Sequence, residues 1–99
     1  MSASAEPISE NAICRSATIT NMRGLHARAA AKFVKLAAQF KAQVLVSHRG
    51  TEVSGLSIMG LMMLAAGPGC TVELKGDGDE AANAVSALVQ LIEDKFGED

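Results

Sequence analysis

Apolar residues in the first half of the chain change from a two-residue to a helical spacing. Residues 12–20 place apolar side chains at every second position, interrupted by Arg15, which predicts a strand. Its inward face consists of Ile13, Ala17 and Ile19. From Ala27 onward the spacing becomes helical, with lysines mostly on the other side, which predicts an amphipathic helix. The apolar face of that helix consists of Ala30, Phe33, Val34, Ala37 and Phe40.

A hairpin and a shorter helix follow. Residues 43–48 and 51–54 have strand patterns and flank Arg49-Gly50, where glycine allows the positive φ that a tight hairpin turn needs. Residues 57–66 are predicted to form a short helix that ends at Gly67-Pro68-Gly69.

The last third of the chain predicts one more strand and one more helix. Residues 70–76 alternate again, with Val72 and Leu74 inward. Asp79 is expected to cap the final helix, whose acidic start suits the helix dipole, and Gly97 is expected to end it. The apolar face of this helix consists of Ala82, Val85, Leu88, Val89, Ile92 and Phe96.

The predicted order is therefore β-α-β-β-α-β-α, typical of an α+β domain. Four strands and three helices in this order predict a four-stranded antiparallel sheet with three helices on one face. Residues 12–97 are expected to form a single domain, and the small, polar residues 1–11 a flexible N-terminal tail. A ferredoxin-like module followed by a trailing helix would share the same order, so the order alone does not decide between folds.

Composition narrows the possible functions. The 99 residues carry a formal net charge of −2, which gives no electrostatic footprint for nucleic acid. Aromatic residues are only 3% of the chain, so the core is expected to consist of aliphatic residues, alanine and methionine. The N-terminus lacks the pattern of a signal peptide, and no apolar stretch is long enough to cross a bilayer. These features predict a soluble, cytoplasmic protein that does not bind membranes.

The two cysteines do not indicate a metal site. Cys14 and Cys70 are isolated, without the short spacings of zinc ligands. They are interpreted either as buried thiols in a reducing compartment or as one disulfide. No metal and no cofactor is expected.

His26 is the strongest candidate for chemistry. Gly24 permits a sharp turn and Leu25 can anchor inward, so that His26 falls at the start of the first predicted helix. Unpaired N–H groups there favour a phosphoryl group, and Arg28 could hold the same oxygens. The spacing equally allows a histidine that caps the helix or lies on the surface, with Arg28 a solvated charge.

Other patterns are less informative. His48 precedes the hairpin turn and is interpreted as a surface residue. The glycines of residues 67–70 and 76–80 lack the surroundings of a nucleotide-binding loop and are interpreted as turns. No catalytic triad or pair of catalytic carboxylates is visible from spacing.

The second predicted helix is apolar on all sides, which is unusual for a surface helix. Ile58 and Met62 are predicted to face outward beside His26, where a partner could dock, although a fully covered helix fits the pattern as well. Its inward row is predicted to be Leu61, Leu64 and Ala65. Ser57 is a natural N-cap, and a phosphate on it would also be favoured there.

Two segments carry a family resemblance. Residues 21–28, NMRGLHAR, resemble the active-site signature of HPr, the histidine-containing phosphocarrier of the bacterial phosphotransferase system. Residues 56–62, LSIMGLM, resemble the serine-phosphorylation segment of that family, with Ser57 lying 31 positions after His26 as expected there. The resemblance runs from about residue 12 to 97. It implies the HPr fold, an open-faced β-sandwich.

The resemblance also implies the roles of individual residues. His26 would accept a phosphoryl group on Nδ1 from enzyme I, phosphorylated by phosphoenolpyruvate, and pass it to an EIIA-type protein. Arg28 would position the phosphate, helped by the backbone amides of Ala27 and Arg28, and Ser57 would be the target of an HPr kinase/phosphorylase. Ile58, Met62 and Ala27 would lie on the docking surface. The protein would then be a monomeric relay and not an enzyme.

Some residues depart from the family pattern. Ala29 stands where many members have proline, and Leu56 stands where lysine is common before the serine. Ala29 and the acidic ending, residues 96–99, suggest the nitrogen-related or regulatory branch. The alternatives are a non-phosphorylated regulatory module on a ferredoxin-like scaffold and a protein that only docks through its methionine-rich helix.

Overall fold

Alternating and helical segments form in the predicted order. The computed structural model describes residues 12–98, so the predicted tail at residues 1–11 lies outside the described residues. The strands are β1 (Ile13–Thr18), β2 (Gln43–His48), β3 (Thr51–Ser54) and β4 (Thr71–Asp77). The helices are α1 (Ala27–Ala37), α2 (Ile58–Met63) and α3 (Ala81–Glu93), followed by a 3-10 turn at Lys95–Gly97.

The four strands form one antiparallel sheet in the order β1-β4-β2-β3. On β4, Val72 and Leu74 point into the core while Thr71 and Glu73 are exposed, so one face of the sheet is covered and the other is open. The α+β fold class and the antiparallel sheet are therefore confirmed. The Arg49-Gly50 turn is confirmed too, with φ values of 51° and 84° that suit a tight hairpin.

The core lies between the sheet and the helices. Phe33 of α1 and Leu88 of α3 are almost completely buried against the sheet residue Leu74. Because the chain has few aromatic residues, alanines fill much of the helix–sheet contact. Those of α1 and α3 that are buried are Ala29, Ala30, Ala37, Ala81 and Ala84. No helix among residues 12–98 is long and apolar enough to cross a membrane.

The bounds of α3 differ from the prediction. Its N-cap is Glu80, without a side-chain cap, so the prediction that Asp79 caps the helix is wrong, as is that of an acidic first turn. Glu80 instead accepts a hydrogen bond from the backbone N–H of Lys41 at 2.6 Å. Ala82 is exposed because the buried stripe starts one position earlier. The helix ends at Glu93, and Phe96 reaches the core from the following turn.

Three smaller predictions are also wrong. Ile13 is exposed because it lies at the free end of an edge strand. Cys14 is exposed, not buried; it and the partly buried Cys70 are both free thiols. The chain leaves α2 at Leu64, and Ala65, with φ of 54°, is exposed and not part of an inward row.

Candidate functional site

The loop that carries His26 is fixed to the loop that follows α2. Leu25 is buried, as predicted, and donates its backbone N–H to the carbonyl oxygen of Ala66 at 3.0 Å. Gly24 has φ of 62°, and a Cβ at this position would lie 2.5 Å from the same oxygen. Only glycine combines this backbone conformation with so close an approach. The position of His26 therefore depends on a glycine turn packed against a second loop.

His26 lies at the N-cap of α1, as predicted. Its backbone is extended, with φ of −73° and ψ of 176°, and its carbonyl oxygen accepts the N–H of Ala30 at 2.9 Å. The side chain makes no capping hydrogen bond, so the alternative that the ring caps the helix is wrong. The first N–H groups of a helix, here those of Ala27 and Arg28, have no acceptor within the helix. The ring is thus placed at the positive end of the helix without being used to cap it.

The imidazole of His26 contacts a carboxylate from the other end of the sequence. Its Nε2 lies 2.7 Å from Oε2 of Glu98, and the two side chains are 17% and 22% exposed. A carboxylate can only accept, so in the neutral ring this contact assigns the hydrogen to Nε2 and leaves the lone pair on Nδ1. Glu98 was not predicted as a site residue, because nothing in the spacing of a chain end links it to a histidine 72 positions away.

Asn21 joins the carboxylate to the His26 loop. Its side chain is fully buried, and its Nδ2 donates to the carbonyl oxygen of Gly24 at 2.9 Å and to Oε1 of Glu98 at 3.0 Å. Hydrogen bonds from Asn21 and then from His26 hold the pKa of the Glu98 carboxyl below its ordinary value of 4.5, against an opposing effect of burial. The positive charge of Lys32 contributes less in the same direction. Glu98 is consequently an anion at neutral pH.

The turn after α3 brings Glu98 to this position. Lys95 and Phe96 both adopt positive φ, at 59° and 55°, and the fully buried Phe96 ring anchors the turn in the core. Lys32 of α1 donates from Nζ to the carbonyl oxygen of Phe96 at 2.7 Å. Gly97, at φ of 75°, then directs the chain toward α1. The predicted role of Gly97 as the end of the helix thus becomes a role in returning the chain to the site.

Arg28 and Ala27 are exposed in the first turn of α1, next to the ring in sequence. No hydrogen bond or ion pair joins the Arg28 guanidinium to another residue within 12–98. Its long side chain can therefore reach toward an anion bound at the helix terminus. Arg28 thus lies in the first turn of α1, and its role toward a phosphate stays a prediction.

The second helix presents apolar side chains to solvent. Ile58 and Met62 are exposed by 40% and 41%, as predicted, whereas Leu61 and Leu64 are buried. Sequence reasoning missed the extent of this surface. The other large apolar side chains exposed in or next to α2 are Leu56, Met59 and Met63, and Met22 is exposed in the loop before α1. The alternative of a fully covered helix is therefore wrong.

Ser57 is the N-cap of α2, as predicted. Its Oγ accepts the backbone N–H of Gly60 at 2.9 Å, and the residue is half-buried. The hydroxyl is thus already engaged in a local structural role.

His48 takes no part in the site's hydrogen bonds. Its Nδ1 lies 3.1 Å from the carbonyl oxygen of Thr71, and it is half-buried on the hairpin. Within the described range 12–98, no group of three or more His, Cys, Asp or Glu side chains could hold a metal ion.

Comparisons with known proteins identify the family of the chain. The family model described as PTS HPr component phosphorylation site matches residues 13–94. Phosphocarrier protein HPr of Cupriavidus necator is 52% identical over 84 residues, which are 85% of this chain and 94% of that protein. Phosphocarrier protein NPr of Shewanella violacea is 42% identical over 84 residues, which are 85% and 92% of the two chains. The relatives thus include proteins named HPr and a protein named NPr, and assignment of this chain to the nitrogen-related branch stays a prediction.

A solved structure matches as well. HPr-C-His from Thermoanaerobacter tengcongensis aligns with a TM-score of 0.84 at 44% identity, covering 88% of this chain and 98% of that chain. This match decides between the two folds that the element order allowed, and the ferredoxin-like alternative is wrong. With the family model matching residues 13–94 and a relative half-identical over most of its length, the chain belongs to the HPr family, the phosphocarrier proteins of the phosphotransferase system.

Proposed function

We propose that His26 of this protein accepts a phosphoryl group on Nδ1 from phosphorylated enzyme I and transfers it to a histidine of an EIIA-type protein. Phosphoenolpyruvate is the first donor of the group. The observation that carries the proposal is the 2.7 Å contact between Nε2 of His26 and Glu98, because it leaves the nucleophilic lone pair on Nδ1. The protein is a relay that returns to its starting state and not an enzyme.

The helix terminus and Arg28 supply the electrostatics of the transfer. The phosphoryl group on Nδ1 is dianionic, and the N–H groups of Ala27 and Arg28 at the start of α1 favour such an anion. The Arg28 guanidinium can form two parallel hydrogen bonds to phosphoryl oxygens. Alanine at position 29 is buried and keeps the first turn helical without the rigidity of proline.

The exposed apolar residues support a docking role. Ala27, Ile58 and Met62 are proposed to form the surface that enzyme I and EIIA-type proteins share. Methionine side chains adapt to differently shaped partners. A relay has to leave each partner after transfer, so a small interface with rapid dissociation is expected.

Ser57 is proposed as the target of an HPr kinase/phosphorylase. A phosphate there would sit at the start of α2 and add negative charge next to Ile58, a residue of the proposed docking surface. Such a charge disfavours an apolar contact, so the modification would weaken docking. The protein is further proposed to work as a cytoplasmic monomer, without nucleic acid or membrane partners, through the domain of residues 12–97.

Transfer of labelled phosphate from phosphoenolpyruvate, with a catalytic amount of enzyme I, tests the proposal. Wild type should acquire an acid-labile phosphate, and His26→Ala should acquire none. His48→Ala is the matched control, since it removes the other histidine of the chain and should be labelled like wild type. Labelling of His26→Ala, or no labelling of wild type by an active enzyme I, would overturn the proposal and favour a module that only docks.

A further inference from the structure

We infer that Glu98 is a positioning residue for phosphoryl transfer, which holds the His26 ring in the Nε2–H tautomer and balances the positive charge that the ring acquires. The inference rests on the function proposed above. It concerns a residue outside both sequence motifs and outside the matched range 13–94.

The contact is built into the fold from both sides. Asn21 is fully buried, and both hydrogens of its Nδ2 are committed, one to Gly24 in the His26 loop and one to Glu98. Its Oδ1 is buried without a partner among residues 12–98, so the orientation of this amide is decided by its two acceptors. Through Asn21, the His26 loop is therefore hydrogen-bonded to the same carboxylate that the His26 ring contacts.

The chain end is equally well held. Phe96 is fully buried two positions before Glu98, and its carbonyl oxygen is bound by Lys32 of α1 at 2.7 Å. Since Lys32 lies in α1 and His26 is the N-cap of that helix, the turn after α3 and the ring keep a fixed relation. Glu98 is thus placed by the core and not by a loose chain end.

Only a carboxylate satisfies this arrangement. Oε1 accepts from Asn21 and Oε2 accepts from His26, so both oxygens have to be acceptors. A glutamine would present one donor, which would face either the Asn21 amide or the ring nitrogen. In the first case two donors meet, and in the second the ring is driven into the other tautomer.

The chemistry of the transfer gives the carboxylate a second task. Nδ1 of His26 attacks phosphorus with its lone pair, a new P–N bond forms, and the bond from phosphorus to the donor atom of phosphorylated enzyme I breaks with its electron pair remaining on that donor atom. The His26 ring keeps its Nε2 hydrogen throughout and becomes a phosphorylated imidazolium. Its new positive charge lies 2.7 Å from the Glu98 carboxylate, as an imidazolium lies beside the aspartate of a serine protease triad. Transfer onward to the acceptor histidine reverses these changes, and no proton has to be exchanged with solvent.

The other histidine provides an internal reference. A carbonyl oxygen can only accept, so the 3.1 Å contact of His48 Nδ1 with Thr71 assigns the hydrogen of this ring to Nδ1. The two neutral histidines of the chain are therefore expected to be opposite tautomers. Nitrogen-15 NMR of the ring nitrogens, recorded where both rings are neutral, distinguishes them without any partner protein.

Two variants and one control test the inference. Glu98→Ala and Glu98→Gln should shift the His26 ring toward a mixture of tautomers, leave His48 unchanged, and slow maximal transfer from enzyme I about ten- to a hundredfold, as expected for loss of one charge-assisted hydrogen bond. Glu93→Ala removes an exposed carboxylate at the end of α3 and should change neither the His26 tautomer nor the rate of transfer.

Each other outcome contradicts the inference. A wild-type His26 ring with its hydrogen on Nδ1, or a tautomer change without slower transfer, would overturn it. Slower transfer without a tautomer change would overturn the tautomer-holding role and leave only the balancing of charge. The ring spectra need no enzyme I. Consequently, a wild type that keeps the expected tautomers but takes up no phosphate would refute the proposed function, whereas a phosphorylated wild type insensitive to Glu98 would refute only the positioning role.

Discussion

Leu25 donates its backbone N–H to Ala66, which joins the loop before α1 to the loop after α2. Gly69 makes a second tie, donating its N–H to the carbonyl oxygen of Ile19 at 2.7 Å. The proposed phosphorylation site and the proposed docking helix are therefore parts of one scaffold. The position of the His26 loop relative to a partner docked on α2 is therefore fixed by these two hydrogen bonds.

Gly24→Ala should disturb this scaffold strongly. The added Cβ would lie 2.5 Å from the Ala66 oxygen and 2.7 Å from Cα of Gly67, and both are backbone atoms that cannot rotate away. With the cost of positive φ for alanine added to that of overpacking, the free energy of unfolding should fall by about 2–5 kcal/mol. Urea denaturation measures this loss.

Gly50→Ala is the matched control for that substitution. Gly50 also has positive φ, at 84°, but a Cβ there would meet no atom within 4 Å. Its replacement should lower the free energy of unfolding by only about 1 kcal/mol, which is the cost of positive φ for alanine. Equal losses for the two variants would show that the close approach to Ala66 contributes nothing.

Phe96→Ala should destabilise the protein and release Glu98. The ring is fully buried, so its truncation should cost about 3–5 kcal/mol in the free energy of unfolding. Phe40→Ala, at a half-buried position beyond α1, should cost less. Phe96→Leu keeps an apolar anchor and should remain folded with the Nε2–H tautomer of His26 retained. A loss for Phe96→Ala no larger than that for Phe40→Ala would contradict the anchoring role.

The sequence predicted well the features that depend on local patterns. Strand alternation, the helical spacing after Ala27 and the glycine turn before His26 are local, and these elements formed as expected. The helical spacing also included Phe96, which is buried as expected but lies in the turn after α3. A residue just past a helix can reach the same core as the residues within it, so the spacing does not show where the helix ends. Contacts such as that of Glu98 with His26 depend on how the chain end turns in space, and no spacing encodes them.

The lowered pKa of Glu98 predicts how stability depends on pH. A carboxyl whose pKa is depressed in the folded state stabilises the fold above its ordinary value of 4.5, and this contribution is lost as the pH falls through the folded-state value. The hydrogen bonds from Asn21 and then His26 are the main causes of the lowered pKa, and the charge of Lys32 contributes less. The stability difference between wild type and Glu98→Gln should therefore shrink as the pH falls below 4.5.

Urea denaturation at a series of pH values checks this expectation. Glu93→Gln serves as the control, because Glu93 is exposed at the end of α3 and its replacement should give a difference that hardly varies with pH. A difference for Glu98→Gln that grows toward acid pH would contradict the assigned direction.

Met62→Lys should weaken docking without unfolding the protein. Met62 is 41% exposed on α2, so a lysine can extend into solvent, but its charge would have to be desolvated in an apolar interface. We expect the KM of the variant as a substrate of phosphorylated enzyme I to rise about tenfold or more, with an unchanged melting temperature. Ile13→Lys is the control, since Ile13 is 38% exposed at the far end of β1 from the His26 loop. Equal effects of both substitutions would argue against a docking surface on α2.

Substitutions at Ser57 separate its capping role from its proposed regulatory role. Ser57→Ala removes the hydrogen bond to the Gly60 N–H and should cost about 1 kcal/mol of stability, while docking with enzyme I stays intact. Ser57→Asp keeps a good N-cap, and its carboxylate suits the helix start, so stability should be retained. The same carboxylate places a charge next to the exposed Ile58, so the KM for enzyme I should rise. Because the two variants move stability and docking in opposite ways, a Ser57→Asp protein that is as stable as wild type and is phosphorylated at the wild-type KM would refute regulation by charge at this position.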